Sequence, residues 1–212
     1  QVAFESAAGL ATLHNDKGLP LLLKALDDRY RRFAALGALA QLKAAQARPA
    51  AEKLLSGFFV PDFERTQAAG LLACLGVEAG RTHLVSRLNR KRADDRGLAM
   101  ELCGAHQVLS AIPSLRLAMA DRSDPMRGTA ARSLGQLGED AGVLGRMAQD
   151  TSEEYEVRCD AMEGLMFLGT PQAIATLKRL RESDAEASIR DAAQDALGWL
   201  AAHQPRLLEV AT

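Results

Sequence analysis

An arginine recurs six times along this chain, and each time an alanine follows three residues later. The intervals between successive arginines are 33, 31, 31, 31 and 32 residues. The arginines are Arg32, Arg65, Arg96, Arg127, Arg158 and Arg190. A near-constant interval of this length is typical of stacked two-helix repeats, because one helix pair cannot bury its apolar face without a neighbouring pair. We therefore predict an all-α chain that forms one solenoid (an α–α superhelix) of about six repeats.

The interval divides residues 1–212 into an incomplete first unit, six repeats and a tail. Residues 1–14 hold a single predicted helix. Because a solenoid end normally carries a polar cap, this abrupt start indicates a fragment of a longer protein. The predicted repeats, which are followed by a C-terminal tail at 204–212, are 15–46, 47–77, 78–107, 108–138, 139–169 and 170–203.

Each repeat is predicted to contain a helix A, a short polar turn and a helix B that begins near the arginine. In repeat four, Asp124 and Pro125 are suited to the start of helix B, and Gly138 to its end. Gly76 and Gly169 occupy the equivalent C-terminal position in repeats two and five. At 100° per residue, the positions 0, 3, 7 and 10 residues after the arginine face the core, and positions 1, 5 and 9 face the opposite side. Those latter positions are free to contact solvent or a partner.

The segment from Asp124 to Gly138 resembles the HEAT-like repeat of the phycobilin-lyase type, and the resemblance extends along the chain from about Asn15. It is weaker in repeat one and in repeat three, where Cys103 and His106 replace leucines. The resemblance implies a HEAT-like solenoid. Because members of this family resemble scaffolds, adaptors and lyase subunits, it implies an interaction surface and not a particular reaction.

The repeated arginines allow two interpretations. Six guanidinium groups could clamp phosphates. Alternatively, each arginine covers neighbouring helices and pairs with a carboxylate or a turn carbonyl in the next layer. Structure repeats with the unit whereas function rarely does, so we predict a structural role.

A partner-binding site is predicted on helices B of repeats four to six. Phe167 and Trp199 are expected to lie side by side, and Asp160 and Asp191 extend an acidic border around them. Such a surface suits a peptide anchored by an apolar side chain and a Lys or Arg. The predicted site residues are Arg132, Gln136, Glu163, Phe167, Asp195 and Trp199. The alternative is that Trp199 folds beneath the C-terminal tail and Phe167 tilts into the core.

Repeat three carries a concentration of positive charge that could face phosphates of DNA or RNA, or an acidic protein. Its residues are Arg81, Arg87, Arg90, Lys91 and Arg92. The alternative is a solvated helix face whose charge Asp94 and Asp95 offset. No aromatic residue interleaves these cations, and the formal net charge is −1. Nucleic-acid binding is therefore kept only as an alternative function.

Three phenylalanines, Phe58, Phe59 and Phe63, lie in and beside the turn of repeat two, where polar residues are usual. We predict that they pack back onto the next layer, since apolar residues beside a helix start commonly do so. The alternative is a knob that contacts another subunit.

No catalytic, metal-binding or cofactor-binding residue is predicted. The four histidines are isolated, and neither a His-Glu-x-x-His nor a Cys-x-x-Cys motif is present. Cys74, Cys103 and Cys159 lie at unrelated positions in their repeats, as expected of reduced thiols in a cytoplasmic protein. No run of 18 apolar residues occurs, so no membrane span is predicted.

Together these features predict a non-enzymatic scaffold or adaptor that binds a protein or peptide on its helix B surface. Two alternatives stay open: a nucleic-acid or phosphate binder that uses the repeat-three cations, and a lyase-like enzyme subunit implied by the family resemblance.

Overall fold

The computed structural model describes residues 2–139 and 141–210 of the chain. Within these residues the secondary structure is helical, and no β-strand is present. The chain divides into two compact bodies, Gln1–Val108 and Leu109–Thr212. The division falls within one residue of a predicted repeat boundary. Whether the repeats form one continuous solenoid stays a prediction.

The N-terminal body contains seven α-helices among its described residues. They are α1 (Val2–Thr12), α2 (Leu19–Ala25), α3 (Arg32–Gln41), α4 (Arg48–Ser56), α5 (Asp62–Cys74), α6 (Glu78–Arg87) and α7 (Ala93–Ala105). Each helix A packs on its own helix B, and α3, α5 and α7 pack on one another in order. Helix α1 packs on α2 and α3, the position that a helix B occupies relative to the repeat that follows it.

The C-terminal body repeats this arrangement. Its described helices are α8 (Ile112–Ala120), α9 (Arg127–Gln136), α10 (Ala141–Gln149), α11 (Tyr155–Leu168), α12 (Pro171–Ser183), α13 (Ala187–His203) and α14 (Pro205–Val210). The helices B form the row α9–α11–α13, and α14 folds back onto α12 and α13. The predicted all-α class and the predicted two-helix repeats are therefore confirmed.

Alanine at the third position after each arginine sets the spacing between layers. All six side chains are completely buried, which confirms the predicted core face of helix B. They are Ala35, Ala68, Ala99, Ala130, Ala161 and Ala193. A larger side chain there would separate adjacent helices, because close-packed interiors leave no spare volume.

Residues in the left-handed backbone conformation follow the helices B of repeats one to five. Gly76, Gly138 and Gly169 have φ values of 77°, 83° and 61°, which confirms their predicted role at helix ends. The structure adds Lys43 and Gln107, with φ values of 48° and 55°, at the equivalent positions of repeats one and three. These two helix ends were not predicted, because neither residue is the glycine that usually marks a left-handed position.

Candidate functional site

The six repeated arginines lie at the turns that join helix A to helix B. Five of them donate hydrogen bonds to backbone carbonyl oxygens of their own turn. These acceptors are Leu26 for Arg32, Gly57 and Val60 for Arg65, Arg90 for Arg96, Ala148 for Arg158, and Asp184 and Ala185 for Arg190. Each of these arginines thus provides donors for carbonyl groups that the helix ends leave without helical partners.

Three of the arginines also reach a carboxylate in the following repeat. Arg32 Nη1 lies 2.9 Å from Glu64 Oε2, and Arg127 Nη1 lies 2.7 Å from Glu153 Oε2. Arg158 is 0% exposed and donates to both Asp184 and Glu186. These contacts support the structural interpretation of the arginine row.

A groove of about 560 Å³ lies between α11 and α13, the helices B of repeats five and six. We call it the acidic groove because four carboxylates are part of its wall. Its lining residues are Tyr155, Glu156, Cys159, Asp160, Met162, Glu163, Met166, Ala192, Asp195, Ala196 and Trp199. Three of the predicted partner-binding residues, Glu163, Asp195 and Trp199, are therefore on one surface.

The predicted aromatic pair is present but only half-buried. The ring centroids of Phe167 and Trp199 are 5.9 Å apart, in an edge-to-face arrangement at 70°. Both rings pack against the apolar core of the C-terminal body. On its other side Trp199 stacks on His203, with centroids 4.5 Å apart. Trp199 thus belongs to both the core and the groove wall, whereas Phe167 is not among the groove-lining residues.

Arg132 closes one border of the acidic groove. Its Nη1 lies 3.2 Å from Asp160 Oδ1 and 3.2 Å from Glu163 Oε2. Arg132 and Glu163 each lie five residues after the repeated arginine, in repeats four and five. Their contact shows that this position is aligned between the two repeats, as the repeat pattern predicted. Gln136, also predicted for the site, is half-buried on α9 and does not line the groove. One guanidinium against four carboxylates leaves the groove with an excess of negative charge.

Sequence reasoning missed seven of the groove-lining residues: Tyr155, Glu156, Cys159, Met162, Met166, Ala192 and Ala196. Cys159 does follow its arginine by one residue, at a position predicted to face away from the core, so the pattern held a signal for it. Burial raises the pKa of the Cys159 thiol, although a hydrogen bond with Tyr155 opposes this effect. Cys159 is therefore a protonated thiol at neutral pH, unlike the thiolates of reactive cysteines.

A second groove, of about 520 Å³, lies on the helices B of the N-terminal body. Its wall includes Lys43, Gln67, Cys74 and His106 and no carboxylate. Burial lowers the pKa of His106, which keeps this groove free of a histidine charge at neutral pH. The two grooves therefore differ in charge.

The predicted basic patch of repeat three is wrong for Arg87. Its side chain is 2% exposed, because Asp62 of the preceding repeat accepts a hydrogen bond from Arg87 Nη2 at 2.6 Å. Arg87 Nε donates to His83 Nε2 at 3.1 Å. Arg87 therefore cannot face a phosphate.

The other cations of the predicted patch are at least partly exposed. Arg81 is partly exposed, and its Nη1 lies 3.8 Å from Glu78 Oε2. The exposed cations of the patch are Arg90, Lys91 and Arg92. The side chain of Asp94, which was expected to offset them, lies outside the described part.

The predicted packing of the repeat-two phenylalanines is also wrong for two of the three. Phe58 and Phe59 are 88% and 93% exposed and contact each other edge to face. Phe63 is half exposed and packs against Phe33, with centroids 5.6 Å apart. The turn carbonyls of Gly57 and Val60 bind Arg65, and this backbone contact holds the turn without burying the two rings.

Neither metal ligation nor membrane crossing finds support in the described residues. They contain no group of three or more His, Cys, Asp or Glu side chains placed to hold a metal ion. None of the described helices has the length and apolar character that a bilayer crossing requires.

Comparisons with known proteins agree with this architecture. Residues 112–198 match the HEAT repeat family. The fold is similar to that in the complex of CpcE and CpcF of phycocyanin lyase from Nostoc sp. PCC7120, with a TM-score of 0.61 and 19% identity over 98% of this chain and 87% of that chain. Residues 112–198 therefore resemble HEAT repeats in sequence, and the chain has a HEAT-like helical-repeat fold, as the resemblance implied.

Two further solved structures match the chain. One is an engineered protein, with a TM-score of 0.50 and 18% identity over 84% of this chain and 94% of that chain. The other is human deoxyhypusine hydroxylase, with a TM-score of 0.45 and 18% identity over 92% of this chain and 78% of that chain. No curated protein matches the sequence.

Proposed function

We propose that this chain is a protein-interaction scaffold that binds a basic, apolar-anchored segment of a partner protein in the acidic groove. The observation that carries the proposal is the groove wall itself. Carboxylates of Glu156, Glu163 and Asp195 border an apolar floor formed by Met162 and Met166.

The geometry favours a segment in which an apolar side chain lies between lysines or arginines. Trp199 offers an aromatic surface for such an apolar anchor, and cations can approach the ring or the carboxylates around it. The helices α11 and α13 hold these groups on packed, rigid elements. Little conformational freedom is therefore lost on binding, which favours affinity.

A lyase-like enzyme subunit is the second candidate, supported by the fold similarity to a phycocyanin lyase complex. At 19% identity the similarity establishes the fold alone. A chromophore-transfer assay separates the two candidates. If this chain accelerates attachment of a bilin to an acceptor protein, it is a lyase subunit and the non-enzymatic proposal is wrong.

Nucleic-acid binding through repeat three has lost part of its basis, because Arg87 is buried against Asp62. Binding of single- or double-stranded oligonucleotides that weakens steeply with salt would restore it.

Trp199 is the only tryptophan of the chain, so its fluorescence reports on the acidic groove. The probe is a synthetic peptide of alternating lysine and leucine, compared with a peptide in which glutamate replaces lysine. We expect a saturable change in fluorescence with the lysine peptide alone. We also expect Glu163→Gln combined with Asp195→Asn to weaken binding about tenfold, since each partly exposed ion pair contributes modestly.

The matched control is Glu5→Gln with Asp27→Asn, which removes two exposed carboxylates from the N-terminal body. This control should bind the lysine peptide as the parent chain does. Equal binding of both peptides, or equal loss in the control, would show that the acidic groove does not select its partner by charge.

A further inference from the structure

Aromatic side chains are concentrated on one edge of the N-terminal body. Five of the nine Phe, Tyr and Trp residues of the chain lie in or beside the helix A–helix B turns of repeats one and two, and all five are exposed. We call this surface the aromatic edge. Its residues are Tyr30, Phe33, Phe58, Phe59 and Phe63. Tyr30 is 87% exposed, as much as Phe58 at 88%. So many exposed rings on one surface indicate an interaction site.

The two turns are neighbours. Phe33 lies in the first turn of α3 and Phe63 in that of α5, and their ring centroids are 5.6 Å apart. Tyr30 precedes Phe33 by three residues, and Phe59 precedes Phe63 by four. The projecting rings therefore come from successive turns on the same edge.

The turn of repeat three adds positive charge to this edge. It follows Arg87, which contacts Asp62 at the start of α5, beside Phe63. Arg87 lowers the pKa of Asp62 chiefly through that hydrogen bond, and the charge of Arg90 contributes to the same shift. The exposed residues Arg90, Lys91 and Arg92, here called the basic turn, therefore lie next to the aromatic edge.

We propose that the aromatic edge and the basic turn together dock on an anionic lipid bilayer, with Phe58 and Phe59 entering the interface. Aromatic side chains favour the boundary between headgroups and acyl chains. Basic residues beside them are attracted by the negative surface potential of anionic lipids. This combination supplies the two signals, apolar and electrostatic, that stable peripheral binding needs.

The shape of the edge favours a bilayer over a macromolecular partner. Phe58 and Phe59 project from a turn with most of their surface exposed, so a protein partner would need a pocket that fits both rings. The two rings pack edge to face with centroids 5.1 Å apart, which reduces the ring face available for base stacking. A lipid interface accommodates both rings without a preformed pocket.

Vesicle sedimentation tests the proposal with the full chain. The vesicles contain phosphatidylcholine alone or phosphatidylcholine mixed with phosphatidylserine. We expect sedimentation with the mixed vesicles, and a decrease when salt is raised. Phe58→Ser with Phe59→Ser should weaken binding about tenfold or more, since two aromatic side chains no longer enter the interface. Arg90→Ala, Lys91→Ala and Arg92→Ala combined should also weaken it, by about fivefold for each cation removed.

Matched controls come from the C-terminal body. Leu117→Ser removes another exposed apolar side chain, and Arg146→Ala with Arg179→Ala and Arg206→Ala removes the same charge from exposed positions. Both controls should bind the mixed vesicles as the parent chain does.

Insertion has its own readout. In a chain with Trp199→Phe, Phe59→Trp provides a single tryptophan at the aromatic edge. We expect its fluorescence to shift to shorter wavelength and to be quenched by brominated acyl chains in mixed vesicles.

Three results would overturn the proposal. One is a chain that stays in the supernatant with both vesicle types. Another is a Phe58→Ser, Phe59→Ser variant that sediments like the parent chain. The third is self-association through the rings, seen as a mass in light scattering that falls to the monomer in this variant, without vesicle binding. None of these outcomes bears on the acidic groove, so the scaffold proposal is tested separately.

Discussion

Trp199 packs edge to face against Phe167 across two successive repeats, with their ring centroids 5.9 Å apart. The two residues occupy the same position in their repeats, nine residues after Arg158 and Arg190. Their contact shows that the repeat aligns side chains from helix to helix. It also joins the acidic groove to the apolar core, because Trp199 contributes to both. Substitution of Trp199 therefore affects stability as well as binding.

We expect Trp199→Ala to lower the free energy of unfolding by about 2 kcal/mol, less than for a fully buried tryptophan because the ring is half-buried. Trp199→Phe should lower the free energy of unfolding by less, since it keeps an aromatic ring against Phe167. Urea unfolding followed by circular dichroism measures both. The control Phe58→Ala removes an exposed ring and should change the free energy by less than about 0.5 kcal/mol. An equally small effect of Trp199→Ala would mean that the ring does not belong to the core.

Arg158→Met should be among the most destabilising substitutions in the chain. It leaves the carboxylate of Asp184 without its buried guanidinium partner, which typically costs about 3–5 kcal/mol. Arg190→Met removes only hydrogen bonds to turn carbonyls, so we expect a smaller loss of about 1 kcal/mol. Thermal and urea unfolding of both variants give the comparison. If Arg190→Met costs as much as Arg158→Met, the contact between repeats is not the source of the stability.

At the left-handed helix ends, two substitutions are expected to have opposite effects on stability. Lys43→Gly should stabilise the chain by about 1 kcal/mol, because glycine adopts φ of 48° without the penalty that a side chain imposes. Gly76→Ala should destabilise it by about 1 kcal/mol. A β-carbon at position 76 would meet no atom within 4 Å, so the loss would arise from the backbone conformation alone. The urea concentration at the midpoint of unfolding, measured for each variant and for the parent chain, tests both expectations. A Lys43→Gly variant less stable than the parent would contradict the argument.

Stability should fall as the pH is lowered from about 6.5 towards 4 because of His83. Burial lowers the pKa of His83 from 6.5 to about 4, and the charges of Arg87 and Arg65 act in the same direction. The unfolded chain therefore takes up the proton first, and the stability present above pH 6.5 is lost as the pH falls through this window. Protonation also removes the lone pair that accepts from Arg87 Nε.

His83→Gln isolates this contribution, because glutamine can still accept a hydrogen bond but does not titrate in this range. The difference in unfolding free energy between the parent chain and His83→Gln should change between pH 6.5 and 4 and stay constant above it. Burial also lowers the pKa of His106, which makes stability fall in the same direction as the pH is lowered. The pH dependence of the parent chain alone therefore does not separate the two histidines. A difference that is constant over the whole range would contradict the assignment to His83.

Part of the acidic groove followed from the repeat pattern. Glu163, Asp195 and Trp199 were predicted from positions that face away from the core, and all three line the groove. Tyr155 and Glu156 could not be found in this way, because they precede the arginine and the repeat pattern assigns no face to them. Phe167 was predicted for the site, with a tilt into the core as the alternative; it packs against the core and does not line the groove, because its orientation depends on the packing of its neighbours.

The sequence alone determined the features that arise from local periodicity. The arginine interval set the two-helix repeats, the alanine row set the buried face of helix B, and Gly76, Gly138 and Gly169 marked three helix ends. Each follows from helical geometry or from the backbone preferences of single residues, so a short stretch of sequence contains the information.

Tertiary structure decided the features that depend on side-chain contacts beyond a single helix. Arg87 is buried because Asp62 lies opposite it, 25 residues away in sequence, and no helical pattern encodes that pairing. Phe58 and Phe59 are exposed because Arg65 holds their turn by its carbonyls and leaves the rings outside. An ion pair between distant residues in the first case, and hydrogen bonds to the backbone of a turn in the second, override the polarity of the side chain as a guide to burial. The positions of the basic turn and the aromatic edge, side by side on the N-terminal body, follow from that packing.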